Sequence, residues 1–244
     1  MRLFSMAFLL LVFASPAAAI TFSEGEEPDP FAEGETCPVL HLMSSGSYVY
    51  SWPSKYDLVF EPAVSYIWHC PASGYVSYAS DFEKLSEEEK KRIADYLEDH
   101  PWKPEYETAE GFQAKLDHME AIYALREQTR EERAWLLRAR AWLYKDDPKA
   151  DEYRARALKL HEEILDKENP EGTDLIESLY IAGFYSWKLG DREAAEEYFE
   201  KARAVKWTDD EGKEQSGVPY INGLIDEVRA GKAADEVRFG GGDE

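Results

Sequence analysis

Apolar residues recur with a helical period from Ser86 to about Ala230, and alternate in β fashion only before Ala79. The clearest stretch is Thr173 to Val205, TDLIESLYIAGFYSWKLGDREAAEEYFEKARAV, which reads as two amphipathic helices around a turn at Leu189-Gly190-Asp191. Gly190 tolerates the left-handed conformation that ends a helix. Asp191 is positioned to cap the second helix, and Asp174-x-x-Glu177 reads as the start of the first. Earlier helices announce themselves in the same way. Ser86-x-x-Glu89 and Thr129-x-x-Glu132 are capping boxes, Thr108 is a further cap, and Asp147-Pro148 suits a first helical turn. Asn169-Pro170 and Gly231 are stops. Short β-rich runs at Ser47–Ser51, Asp57–Phe60, Val64–His69 and Tyr75–Ala79 are separated by Pro and Gly, and predict a small sheet that must pack on helices to be stable. The pattern predicts an α+β protein, predominantly α, with a β-rich ribbon-like unit over 36–80 and a helical array over 81–230.

The two ends add an address and little structure. Met1–Ala19 combines Arg2, an apolar run from Leu3 to Phe13 and the small-residue site Ala17-Ala18-Ala19. This is the pattern of a secretory signal peptide cut near Ala19, and it implies a periplasmic or secreted protein with no stable membrane anchor after cleavage. Residues 20–35 are acidic and carry Pro28, Pro30, Gly25 and Gly34, which predicts a flexible tail. Residues 231–244, closing on FGGGDE, are expected to be disordered.

Charge narrows the partners. The chain of 244 residues has a formal net charge of −22, and loss of Arg2 with the leader leaves −23. Such a surface repels phosphate backbones, so nucleic acid is not expected as a partner. Arg126 to Lys159 runs against the trend, with ten Lys/Arg against seven Asp/Glu. Arg126, Arg130, Arg133, Arg138, Arg140, Arg154 and Arg156 form either a basic strip or a set of ion pairs with neighbouring acidic faces.

Gly183, Gly190, Ala195, Phe199 and Ala202 fall at the spacing of a tetratricopeptide repeat, which this stretch resembles. Shifting Trp142–Ala157 by 45 positions aligns Trp142, Ala150, Tyr153 and Ala157 with Trp187, Ala195, Tyr198 and Ala202. Two such hairpins, at about 130–167 and 173–206, stack into a short array with a concave inner face. The resemblance implies protein or peptide binding there, with Arg138, Trp142, Tyr180, Phe184 and Trp187 as contact candidates. The alternative for Trp142 and Trp187 is packing between repeats.

Cys37 opens CPVL, Cys70 opens CPASGY, and no other Cys occurs. With Tyr56-Asp57-Leu58, Asp81-Phe82, Ala141–Lys145 and Ile181–Phe199, these stretches resemble a bacterial family of undescribed function, domain-of-unknown-function family 2225. Its pattern carries two Cys-Pro-x-Cys knuckles, a strand region with an Asp-Leu turn, and tetratricopeptide-like helices. Four thiolates in two knuckles imply a zinc ion, but Leu40 and Ser73 stand at two of the four ligand positions here. The resemblance therefore implies that Cys37 and Cys70, brought together and exported, form a disulfide in place of the metal. A metal site of Cys37, His41 and Cys70, with zinc as the cofactor, is the alternative. His69 is the other nearby imidazole, but beside Cys70 in a strand it points to the opposite face.

Catalytic motifs are lacking: there is no G-x-S-x-G elbow, no H-E-x-x-H helix and no phosphate-cradling glycine loop. The sequence reading is thus an exported, non-enzymatic interaction module without a cofactor, binding a protein or peptide through its helical face. The alternative is a metal- or thiol-dependent protein using Cys37, His41 and Cys70.

Overall fold

The computed structural model describes residues 21–44, 55–59, 66–101, 109–144, 147–208 and 212–234. The leader expected at 1–19, the strand expected at Ser47–Ser51, the Thr108 cap and residues 235–244 lie outside the described residues. Of the end expected to be disordered at 231–244, Lys232–Ala234 instead forms a 3-10 turn held by the buried Ala233. Seven α-helices and six short strands are present among the described residues. The protein is α+β and predominantly helical.

The helices begin where local chemistry satisfies their free N–H groups. In α1 (Glu87–Asp99) the Ser86 hydroxyl accepts from the Glu89 N–H, and the Glu89 carboxylate accepts from the Ser86 N–H. Helix α2 spans Ala109–Tyr123. Helix α3 (Arg130–Leu143) repeats the reciprocal cap with Thr129 and Glu132. Each box settles two donors that would otherwise be orphaned. Helix α4 (Lys149–Lys167) follows Pro148, and α5 (Gly172–Lys188) leads to α6 (Arg192–Ala204). Between the last two, Gly190 sits at φ +93° and Asp191 caps α6 by accepting from Ala194 N at 3.0 Å. Asp174 and Glu177 make no cap, contrary to the D-x-x-E reading. The helix starts two residues before Asp174, and Glu177 pairs with Arg138 instead. Helix α7 spans Pro219–Arg229.

Helices α3 and α4 form one hairpin, α5 and α6 the next, and α4 packs on α5 so that the hairpins stack. Closeness of α5 and α6 depends on Gly183, where a Cβ would lie 2.6 Å from the Phe199 ring. Two cores result. One gathers strand residues of the N-terminal half, α1, α2 and parts of α3 and α4 around Tyr75, Tyr78, Phe82 and Leu116. The other is built on α5, α6 and α7 around Ile176, Tyr180, Phe184 and Phe199. Leu137 touches both.

The strands form three separate antiparallel pairs. Strand β1 (Thr21–Pro28) pairs with β2 (Thr36–Ser44), β3 (Ile67–His69) with β4 (Val76–Tyr78), and β5 (Lys206–Thr208) with β6 (Glu214–Ser216). The segment 20–35 is therefore not a loose tail. Its acidic positions Glu24 and Glu26 face solvent, and Gly25 leaves room for the His41 imidazole, which a Cβ would approach to 2.6 Å. The strand is acidic because its outer face is wet, which hides the alternation from a hydrophobicity reading. The run Asp57–Phe60 is likewise no strand where it is described. Lys55–Val59 is a compact turn, closed by Leu58 N donating to Lys55 O at 3.2 Å, with Leu58 at φ +49°.

Candidate functional site: a gripped turn and an arginine-lined cleft

The turn Lys55–Val59 packs against α3 and α5, the first helix of each hairpin, and against α7. A turn of this kind aims successive carbonyls outward, and helical side chains receive them. Tyr180 Oη of α5 donates to the Tyr56 carbonyl at 3.0 Å. Arg138 of α3 donates from Nε to the Asp57 carbonyl at 3.0 Å and from Nη2 to the Leu58 carbonyl at 2.8 Å. Tyr185 Oη donates to the Asp57 carboxylate at 2.9 Å. Tyr56 stacks with Phe184 at 6.1 Å between ring centroids, and its hydroxyl donates to Glu227 of α7 at 2.8 Å. Lys55 pairs with the same carboxylate at 2.6 Å. One short segment is thus read through three main-chain carbonyls, one carboxylate and one aromatic ring.

The electrostatics follow from burial. Asp57 is inaccessible, and loss of hydration pushes its carboxyl pKa up against the opposing pull of Arg154, the Tyr185 hydrogen bond, Lys188 and Arg138. The Tyr180 and Tyr185 phenols are raised well above their usual value by burial and by Asp57, so both remain donors. Arg138 also meets Glu177 at 3.0 Å. His161 of α4 is buried nearby, and desolvation with the Arg138 charge lowers its pKa to about 3, leaving it neutral.

This arrangement corrects the contact candidates. Arg138, Trp142, Tyr180 and Phe184 are all buried, and Arg138, Tyr180 and Phe184 hold the chain's own turn. They cannot meet an outside partner while that turn is seated. Trp187 alone of the five is half-exposed, and the Arg192 guanidinium lies over its ring at 3.4 Å. Sequence reasoning missed Asp57 as the group that the array holds. The available signal was a Tyr-Asp-Leu motif whose acid interrupts an aromatic, β-like stretch.

The cysteine corner is a staple. Cys37 of β2 and Cys70, which follows β3, form a disulfide with Cα atoms 4.4 Å apart. His41 does not join them. It lies four residues farther along β2, about 13 Å away by strand rise, against Glu27 and the Trp68 ring. The third donor beside the sulfurs is Asp29, whose carboxylate accepts from the Phe31 and Ser73 N–H groups. The set Cys37, His41 and Cys70 is therefore not assembled as a metal site. His69 is buried, with its pKa lowered to about 3 by desolvation and by Lys115 and His118.

A second concavity opens where α2, α3 and α4 meet, with a volume of about 620 Å³. Arg126, Arg133, Arg140, Arg156 and Lys159 line it, so part of the basic stretch is a surface and not only a set of ion pairs. Arg138 and Arg154 lie elsewhere, buried against the turn and against Asp151. Arg130 pairs with Glu163 and Glu168.

No curated protein and no solved structure matches the chain. A family model described as an uncharacterized protein conserved in bacteria (DUF2225) matches residues 46–221, which takes in the Asp57 turn, the second half of the disulfide corner and both helical hairpins. The chain belongs to that bacterial family.

Proposed function

We propose that this chain is an exported interaction module whose tetratricopeptide-like array recognises a peptide turn of Tyr-Asp-Leu type on its inner face. The observation that carries the reading is the grip on Tyr56–Leu58, in which Arg138, Tyr180 and Tyr185 engage main-chain carbonyls and the Asp57 carboxylate. Contacts to carbonyls do not depend on side-chain identity, whereas the buried carboxylate and the stacked ring set specificity. In the resting chain the ligand is its own turn. A partner, or a second copy, gains the face by supplying the same chemistry once that turn leaves. Export is supported by the leader pattern of Met1–Ala19 and by the disulfide, a bond that persists in oxidising compartments.

The test supplies the turn in trans. The variant Asp57→Ala loosens the resident segment, and the peptide SKYDLVF, copied from Ser54–Phe60, is titrated against it. Saturable binding with a rise in melting temperature is expected for the folded variant, and none for the wild type, whose own turn competes at high effective concentration. The peptide SKYALVF should not bind. A folded variant that ignores SKYDLVF, or binds both peptides equally, contradicts the proposal.

A further inference from the structure

We infer that the cleft between α2, α3 and α4 binds a small amphiphilic anion, an apolar body carrying a carboxylate or phosphate head. Three of its five cations, Arg133, Arg140 and Lys159, lack an ion-pair partner among the described residues. Arg140 is the telling one. It is only 3% exposed, it donates from Nη2 to the Leu116 carbonyl, and its buried Nη1 has no hydrogen-bond partner. Its nearest counter-charge, Glu120, is shared with Arg156, and a buried guanidinium with an unmet donor is costly, a cost that an anion in the cleft would offset. Arg126, whose Nη1 is likewise orphaned, holds Glu89 only at 3.7 Å.

The carboxylates in the cleft are already engaged. Glu120 accepts from Tyr153 Oη at 2.7 Å and from Arg156 Nη2 at 2.8 Å, while Glu163 pairs with Arg130 and Lys167. Between the charges lie Met119, Leu136, Leu137 and Leu160, which give the ligand's body an apolar wall. A cavity of about 620 Å³ suits a small molecule. The surrounding field favours the same size. At a net −22 the protein repels polyanions at long range, and only a ligand of low charge enters to meet the guanidinium forks, which suit carboxylate and phosphate alike.

Calorimetric titration of the oxidised full-length protein tests this with three probes sharing one tail: octanoate, octyl phosphate and octylamine. Binding governed by overall charge would favour the cation, so the probes separate a local site from the bulk field. One-to-one binding of octanoate or octyl phosphate, with octylamine at least tenfold weaker, is expected. The tighter of the two anions assigns the head group. The double substitution of exposed residues Arg133→Gln and Lys159→Gln should weaken the anion about tenfold, with an unchanged melting temperature. Arg140→Gln should weaken it further. Octylamine binding as tightly as the anions, an unchanged affinity in the folded double variant, or no heat from either anion at millimolar concentration would overturn the inference.

Discussion

Arg138 shows how one side chain fixes the relation between the β-rich part of the chain and the helices. It is 4% exposed and its guanidinium serves Asp57 O, Leu58 O and Glu177 together. Arg138→Gln should therefore lower stability by about 3 kcal/mol, since it strands the buried Asp57 and Leu58 carbonyls and breaks the ion pair with the half-exposed Glu177. Arg133→Gln, on an exposed position of the same helix, should stay within about 0.5 kcal/mol. Urea unfolding of the two variants checks the contrast. His161 makes a pH prediction. Its folded pKa is about 3 against 6.5 unfolded, so the unfolded state takes up a proton that the folded state refuses. Stability is full above pH 6.5 and declines as the pH falls toward 3, by about 1.4 kcal/mol per pH unit. His69 acts in the same sense. Asp57, with its raised pKa, acts in the opposite sense, stabilising at low pH and losing that contribution as pH rises. The contrast between wild type and His161→Gln isolates the one group. Between about pH 7 and pH 5 the variant should lose about 2 kcal/mol less than the wild type, and equal losses would show that His161 is hydrated.

At the scale of elements, what the sequence disclosed was what local chemistry decides. Ser86, Thr129 and Asp191 cap as their spacing requires, and Gly190 turns the chain where a left-handed residue is needed. Strand β1 was invisible because its outward positions are acidic and its partner β2 lies across a turn. Asp174 misled because Glu177 is drawn off to Arg138, a tertiary contact that no local spacing encodes. Gly183 is a packing requirement. Gly183→Ala should destabilise by about 1–3 kcal/mol through overpacking against Phe199. Melting curves check this, and Phe199→Leu in the same background should recover part of the loss. The disulfide spans 33 residues, a loop whose closure is worth about 3.5 kcal/mol in the chain-entropy picture. The double substitution Cys37→Ser, Cys70→Ser should lose about that much in urea, and a loss near zero would mean that the strand pairs hold without the staple.

In the molecule as a whole, the helical array and the β-rich unit are joined by a turn that is gripped by side chains of α3, α5 and α7. The array was readable from its small residues and aromatic spacing. The grip on the turn was not, because a side chain's being engaged or free depends on what the remote turn at Lys55–Val59 does, over a sequence distance of some 80 residues to Arg138. The arginines of the basic stretch divide for the same reason: Arg138 and Arg154 are consumed by buried partners, whereas Arg133 and Arg140 line an open cleft. The central requirement is that Tyr56 sits against Phe184 of α5. With tyrosine and phenylalanine selectively labelled, nuclear Overhauser contacts between ring protons report it directly. Cross-peaks between Tyr56 and Phe184, whose centroids are 6.1 Å apart, are predicted in the wild type, along with their loss in Asp57→Ala. Their absence from the wild-type protein would place the turn elsewhere and contradict an array that reads its own Tyr-Asp-Leu.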